Sequence, residues 1–270
     1  MSLCLRALPI LLLTGGLAHA AEPTAGDARP PRFEGAIGLI SSYGPEYSGA
    51  ERSAWRVRPA GFLRYGRITI SGAGGFTTRR EDDVERGIAA ELVERKTWRL
   101  SLSGRWTNGR QEADSDALAG MGDIDGTVLA RLRLQWLPEG PWRYSLAVST
   151  DVLGHGGGSL GELGAARSWT LGAETRLQFG AGLSFGSDTY MQSWYGVTPA
   201  QSQRSGYPVY TPGNGLRDVA AGLTLRHELG KHWDSYVGAH ASWEIGAAAK
   251  SPLVQQRLGW SLGAGLVWRF

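Results

Sequence analysis

Gly157-Gly-Ser-Leu-Gly161 spells the G-x-S-x-G of a nucleophile elbow, and Gly154-His-Gly-Gly-Gly158 beside it resembles an oxyanion-loop word. A serine of that kind works only on a strained turn between a strand and a helix of an α/β sheet. Nothing around Ser159 reads that way, so both words are read as chance matches in a glycine-dense loop. His227-Glu-Leu-Gly-Lys-His232 is one residue too long for the zinc word H-E-x-x-H and crosses a turn glycine, so its two imidazoles cannot share a helical turn. Asp114, Asp116, Asp123 and Asp125 offer hard oxygen ligands in one loop, without the spacing or terminal glutamate of an EF-hand. A solvated acidic loop is the favoured reading of that segment, and cation binding by Asp114–Asp125 stays open. Beyond residue 20 the histidines are His155, His227, His232 and His240. Only His227 combines a lipid-facing parity with a strand, and no serine with an orienting asparagine accompanies it, which argues against a barrel-type lipase. The single cysteine, Cys4, lies in a leader-like segment, leaving no thiol for a disulfide, a zinc site or a nucleophile. These residues predict no catalytic centre, no metal and no cofactor.

Arginine is the chemically active residue type that recurs with a period. Arg56, Arg58, Arg64, Arg99, Arg105, Arg131, Arg133, Arg176 and Arg226 all fall on the polar side of alternating segments. Enclosed in a narrow interior they need carboxylates, and Glu91, Glu174, Asp218 and Asp234 have the matching parity. Two chemistries follow: a filled, salt-bridged lumen, or an anion-favouring passage. The filled lumen is the favoured one.

The elements that carry these arginines are strands. Trp260, Leu262, Ala264, Leu266, Trp268 and Phe270 form one face of the last segment, while Ser261, Gly263, Gly265 and Arg269 form the other. Aromatics at both ends of an apolar face about 10 residues long suit a strand crossing a bilayer. Trp268 and the final aromatic Phe270 resemble the signal that barrel-assembly machinery reads in outer-membrane proteins. The alternation recurs at Trp55–Tyr65, Ile68–Ser71 continuing to Phe76, Trp98–Trp106, Val128–Trp136, Trp142–Val148, Trp169–Phe179, Val219–Arg226 and Trp233–Trp243. Tight connections are expected at 65–67, 94–96, 138–141, 180–182 and 230–232. Long polar loops are expected at 44–53, 79–85, 108–125, 154–167, 195–215 and 246–256. Short turns on one side and long loops on the other is the outer-membrane pattern, whereas a sandwich mixes the two. It predicts an all-β, antiparallel up-and-down transmembrane barrel of about twelve strands, with both termini on the periplasmic side.

Composition agrees. Forty glycines and eleven tryptophans exceed globular usage, in which glycine is about 7%. A mean hydropathy of −0.22 is expected when only alternate residues meet lipid. The net charge of +3 is too small and too dispersed to indicate nucleic acid. Residues 1–20 read as a signal peptide, with Arg6, an apolar run from Leu8 to Leu13 and Ala18-His19-Ala20 before the cleavage point. Residues 21–32 read as a loose periplasmic tether, and 33–270 as the barrel.

Specific words then become recognisable. Tyr190-Met-Gln-Ser-Trp-Tyr-Gly-Val-Thr198, Ser205-Gly-Tyr-Pro-Val-Tyr210, Gly215-Leu-Arg-Asp218, Ser251-Pro-Leu-Val254 and Pro45-Glu-Tyr-Ser-Gly49 resemble the MipA/OmpV family, the MltA-interacting proteins. The motif positions are Tyr190, Met191, Trp194, Tyr195, Gly196, Pro208, Tyr210, Gly215, Arg217 and Asp218. Trp194 stands where that family usually has tyrosine, and Tyr207 where it often has leucine. The resemblance implies a barrel in the bacterial outer membrane, in contact with its lipid. It also implies a scaffold that joins a lytic transglycosylase to a penicillin-binding protein. A small channel for solutes or antibiotics is the alternative.

Overall fold

The computed structural model describes residues 33–72 and 85–270. The leader-like segment 1–20, the tether 21–32, Phe76 and most of the loop 79–85 lie outside the described residues. Twelve antiparallel strands close into one barrel in the order β1-β12-β11 and so on back to β2, each strand bonded to its sequence neighbours. They are β1 Phe33–Pro45, β2 Ser53–Tyr65, β3 Ile68–Ser71, β4 Gly87–Glu94, β5 Trp98–Thr107 and β6 Thr127–Trp136. The second half comprises β7 Trp142–Asp151, β8 Ser159–Thr170, β9 Thr175–Gly186, β10 Gly215–Glu228, β11 Trp233–Glu244 and β12 Leu258–Arg269. No helix among the described residues is long and apolar enough to cross a membrane; the crossing elements are strands.

Burial is inverted relative to a water-soluble barrel. Trp55, Val57, Leu39, Leu102, Leu132, Val148, Leu163, Val237 and Leu262 are exposed, while Arg64, Ser101, Arg133, Ser149, Ser184 and Asp234 are buried. Hydrocarbon outside and a polar interior require that sorting, and barrel closure leaves no backbone edge unpaired in lipid. Aromatic rings collect at both ends of the wall. Tyr43 stands 5.2 Å from Trp55 and 5.8 Å from Trp260 at the long-loop end. Trp98, Trp136 and Tyr144 stack at 5.9 and 5.2 Å at the short-turn end. These are the heights at which amphipathic rings meet two membrane–water interfaces.

At the seam, β1 runs against β12 from Ala36↔Arg269 to Tyr43↔Leu262. Phe270 adds a further rung, donating to Gly35 O at 3.0 Å and accepting from Gly35 N at 3.3 Å. Its ring lies over Gly35, where an added Cβ would stand 2.5 Å away, and 6.0 Å from the Phe33 ring. Gly66, at φ 59°, makes the tight β2–β3 turn in a backbone region that side chains disfavour.

Two expected boundaries are corrected. Gly180–Gly182 is not a turn but the middle of β9, and the chain instead reverses at Leu171–Glu174. The expected loop 154–167 is mostly β8, which starts at Ser159. Both errors have one cause. Gly161, Gly164, Gly180 and Gly182 are small residues of packed strands, and glycine in sequence reads as a turn. The two shifts compensate, so the strand count is unchanged. The loop expected at 195–215 is longer and holds two helices, α1 Asp188–Tyr195 and α2 Pro199–Ser205. Ser187 caps α1 by accepting from Tyr190 N, and Thr198 with Gln201 forms a capping box on α2 with Pro199 at its first turn.

Candidate functional site

The long loops fold inward as a cap on the lumen. Tyr190, Met191 and Tyr195 of α1 are buried with Leu160 and Ala248. Met121, Val197 and Leu253 form a second apolar contact, and Tyr47, Ala50 and Leu118 a third. Hydrogen bonds between distant segments knit the cap. Tyr47 donates to Leu253 O at 3.0 Å, Ser251 to Tyr195 O at 2.6 Å, and Tyr210 to Ala247 O at 2.7 Å. Arg110 donates to Trp194 O at 2.9 Å, and Gln201 to Met121 O at 2.7 Å.

The cap is pinned to the wall by buried charge. A β-bulge between Leu216 and Asp218 turns both Arg217 and Asp218 into the lumen, where simple alternation would send one out. Arg217 donates to Tyr190 Oη at 2.7 Å and is ion-paired with Asp218, which also accepts from Ser184 at 2.5 Å. Glu244 accepts from Tyr195 at 3.0 Å and from Ser48 at 2.5 Å. Burial pushes the Tyr47, Tyr190 and Tyr195 phenols above the ordinary tyrosine value. Burial likewise pulls the Arg110 guanidinium down.

Below the cap, opposite charges meet in the lumen. Arg131 is ion-paired with Glu162 and lies 4.0 Å from Glu85, which also holds Arg133 at 3.4 Å and accepts from Ser103 at 2.7 Å. Nearer the short turns, Arg226 meets Asp234 at 3.3 Å and Glu228 at 2.9 Å, and Arg269 shares Asp234. Beside these, Ala36, Ala60, Phe62 and Val267 fill part of the lumen with an apolar contact. Between β6 and β11 lies a cavity of about 60 Å³ bordered by Arg131, Glu162, Gly164, Gly180, Gly222 and His240. At roughly 10–15 Å³ per water it suits a few solvent molecules.

Arg56, Arg58, Arg99, Arg176 and Arg226 stand on inward rungs with Arg131 and Arg133, and Arg56 donates to the carbonyls of Pro45 and Glu46 at 3.3 and 3.1 Å. Glu174 is a correction: it lies exposed in the β8–β9 turn, off the lumen wall, because the misplaced turn gave it a strand parity it does not have. Glu91 is half-buried on β4 beside a register shift, and one of its carboxylate oxygens is buried without a hydrogen bond. The carboxylates that do serve Arg131 and Arg133 are Glu85 and Glu162, both read as loop residues in sequence. Buried Arg143 is a further lumen arginine, predictable from its alternation with Trp142 and Tyr144.

Of the motif positions, Tyr190, Met191, Trp194 and Tyr195 lie in α1 and Gly196 at its C-cap, with Arg217 and Asp218 beneath them. Tyr210 joins the cap through its hydroxyl, whereas Pro208 is exposed and Gly215 opens β10. Ser159 begins a strand instead of ending one, and its hydroxyl pairs with Thr150 at 2.9 Å. His155 contacts Gly126 O at 2.7 Å, His227 Thr175 at 2.8 Å and His232 Arg269 O at 3.0 Å. In the acidic loop, Asp114 accepts from Gln111 N, Asp123 from Glu112 N, and Asp116 pairs with Arg52, so the carboxylates serve separate partners. Among the described residues no three acidic, histidine or cysteine side chains converge as a metal site.

Residues 37–270 match the family model of the MltA-interacting protein MipA. The chain is 24% identical over 175 residues to YiaT of Escherichia coli O157:H7, named as an outer membrane protein, covering 63% of this chain and 70% of that one. Among solved structures, the NanC porin aligns with a TM-score of 0.44 at 6% identity, covering 86% of this chain and 98% of that chain. An outer-membrane channel from Pseudomonas putida F1 aligns with a TM-score of 0.43 at 13% identity, covering 92% and 100%.

Proposed function

The chain belongs to the MltA-interacting protein MipA family, and from that membership we propose a closed barrel that acts as a scaffold for peptidoglycan-remodelling enzymes. The protein itself is a β-barrel of the bacterial outer membrane. In this reading its periplasmic, short-turn face holds a lytic transglycosylase and, through it, a penicillin-binding protein. The observation that carries it is a lumen crossed by buried ion pairs beneath a pinned cap. A cap pinned by Arg217, Asp218 and Glu244 lies over one end and ion pairs stand in the interior, which favours a functional surface outside the lumen. Arg67, Arg95, Lys96 and Lys231 are exposed around the short-turn rim and give a protein partner charged points of attachment. The role proposed is non-enzymatic; Ser159 opens β8 with its hydroxyl on Thr150, and His155 contacts Gly126 O.

Pull-down from detergent-solubilised envelopes, scored by mass spectrometry against an unrelated barrel, tests the scaffold. Enrichment of a transglycosylase, lowered when Arg95 and Lys96 become Glu, is expected. No enrichment over the control barrel sinks it. A second reading, a small anion-favouring channel for solutes or antibiotics, draws on the cavity bordered by Arg131, His240 and several glycines. Planar bilayers separate the two. The scaffold reading expects no steps from wild type, whereas reproducible anion-selective steps weakened by Arg131→Ser and Arg133→Ser promote the channel.

A further inference from the structure

Arg167 breaks the sorting of charge in this barrel. The other strand arginines turn into the lumen, but Arg167 stands on the outward side of β8, opposite Trp142 of β7 and Phe179 of β9. Its guanidinium carbon lies 5.0 Å from the centre of the Trp169 ring and 5.7 Å from that of Trp142. Its Nε is buried without an acceptor, and among the described residues no carboxylate or carbonyl receives a bond from it. Trp142 is the first residue of its strand, so the charge sits in the aromatic belt at the short-turn end, at headgroup height.

We propose that Arg167, held between Trp142 and Trp169, binds the phosphate of a phospholipid in the leaflet at the short-turn end. Cation–π attraction to the two rings holds the guanidinium and leaves its two terminal nitrogens to form a fork that matches two phosphate oxygens. A cation on a lipid-facing wall is stabilised only where it reaches an anion or water, and the anion abundant at this height is lipid phosphate. Towards the bilayer centre the next outward rung holds Ala165 between Tyr144 and Ala181. The rung beyond it is Leu163, between Leu146 and Leu183. An acyl chain descending from a phosphate on Arg167 would run over these outward, largely apolar rungs. The choice of phospholipid rests on the short turns facing the periplasm.

Native mass spectrometry of the folded full-length barrel tests the site, with dioleoyl phosphatidylglycerol and dioleoylglycerol titrated separately into detergent. Wild type is expected to keep one phosphatidylglycerol at collision energies that strip the rest, and to keep no dioleoylglycerol. Arg167→Gln should weaken that retention about tenfold or more, the loss of a charge-assisted hydrogen bond, with Arg167→Lys between the two. Free inorganic phosphate should compete only weakly, because it lacks the acyl contact. Equal retention of both lipids by wild type overturns the proposal without recourse to a variant. So does undiminished retention by Arg167→Gln that still shows the heat-modifiable mobility of a folded barrel. Transglycosylase binding is read separately, so failure here leaves the scaffold untouched.

Discussion

Replacing Arg217 with Met tests what pins the cap to the barrel. Arg217 and Asp218 are each 2% exposed, and the bulge at Leu216 places both in the lumen. The substitution roughly keeps volume but leaves the Asp218 carboxylate to the Ser184 hydroxyl, and leaves the Tyr190 hydroxyl without its Arg217 partner. Breaking a buried pair by removing one member costs about 3–5 kcal/mol, and the surviving Ser184 bond places this case near ~3 kcal/mol. Removing both charges with Arg217→Met and Asp218→Asn together avoids the stranded carboxylate, and should return to within about 1.5 kcal/mol of wild type. Urea midpoints of refolded barrel, read by gel mobility and tryptophan fluorescence, measure both. Proteolysis of the 196–214 segment should accelerate in the single variant, because α1 then opens before the strands do. A single variant within about 0.5 kcal/mol of wild type, the range of ordinary surface changes, refutes the reasoning. A double variant as unstable as the single one refutes it equally.

Phe270→Ala should lower the fraction of heat-modifiable, folded barrel, because the ring covers Gly35 and packs 5.4 Å from Trp268 at the closing seam; wild-type levels would refute a seam role. Because burial raises the phenols of Tyr47, Tyr190 and Tyr195, the folded cap holds their protons more tightly than the unfolded chain does. Cap stability is therefore complete below the ordinary tyrosine value of about 10 and falls as pH rises through the higher folded values. Ultraviolet titration should show these phenols ionising only above the ordinary tyrosine value and together with loss of the cap; early, uncoupled ionisation would contradict it. An epitope at Asp116, in the β5–β6 loop, should be reached by antibody on intact cells, and one at Glu139, in the β6–β7 turn, should not. The reverse would invert the topology.

Alternation, strand number and the contrast between short turns and long loops were legible in the chain because each is local: a side chain's face repeats every two residues whatever the strand's partner. The same locality set the limit. Gly180 and Gly182 read as a turn because sequence does not distinguish glycine that bends a chain from glycine that thins a packed wall. That one slip gave Glu174 a lumen role and hid Glu162, the partner of Arg131. The helices α1 and α2 went unread within an expected loop because segments this short carry too few residues for a helical period to show. Family words near residues 47, 195, 217 and 253 were visible separately. Only closure of the barrel brings Tyr47 to Leu253, Tyr195 to Ser251 and Tyr190 to Arg217. Only the bulge decides that adjacent Arg217 and Asp218 share one side of the sheet. Periodicity is a property of a segment, whereas register and closure depend on every strand at once.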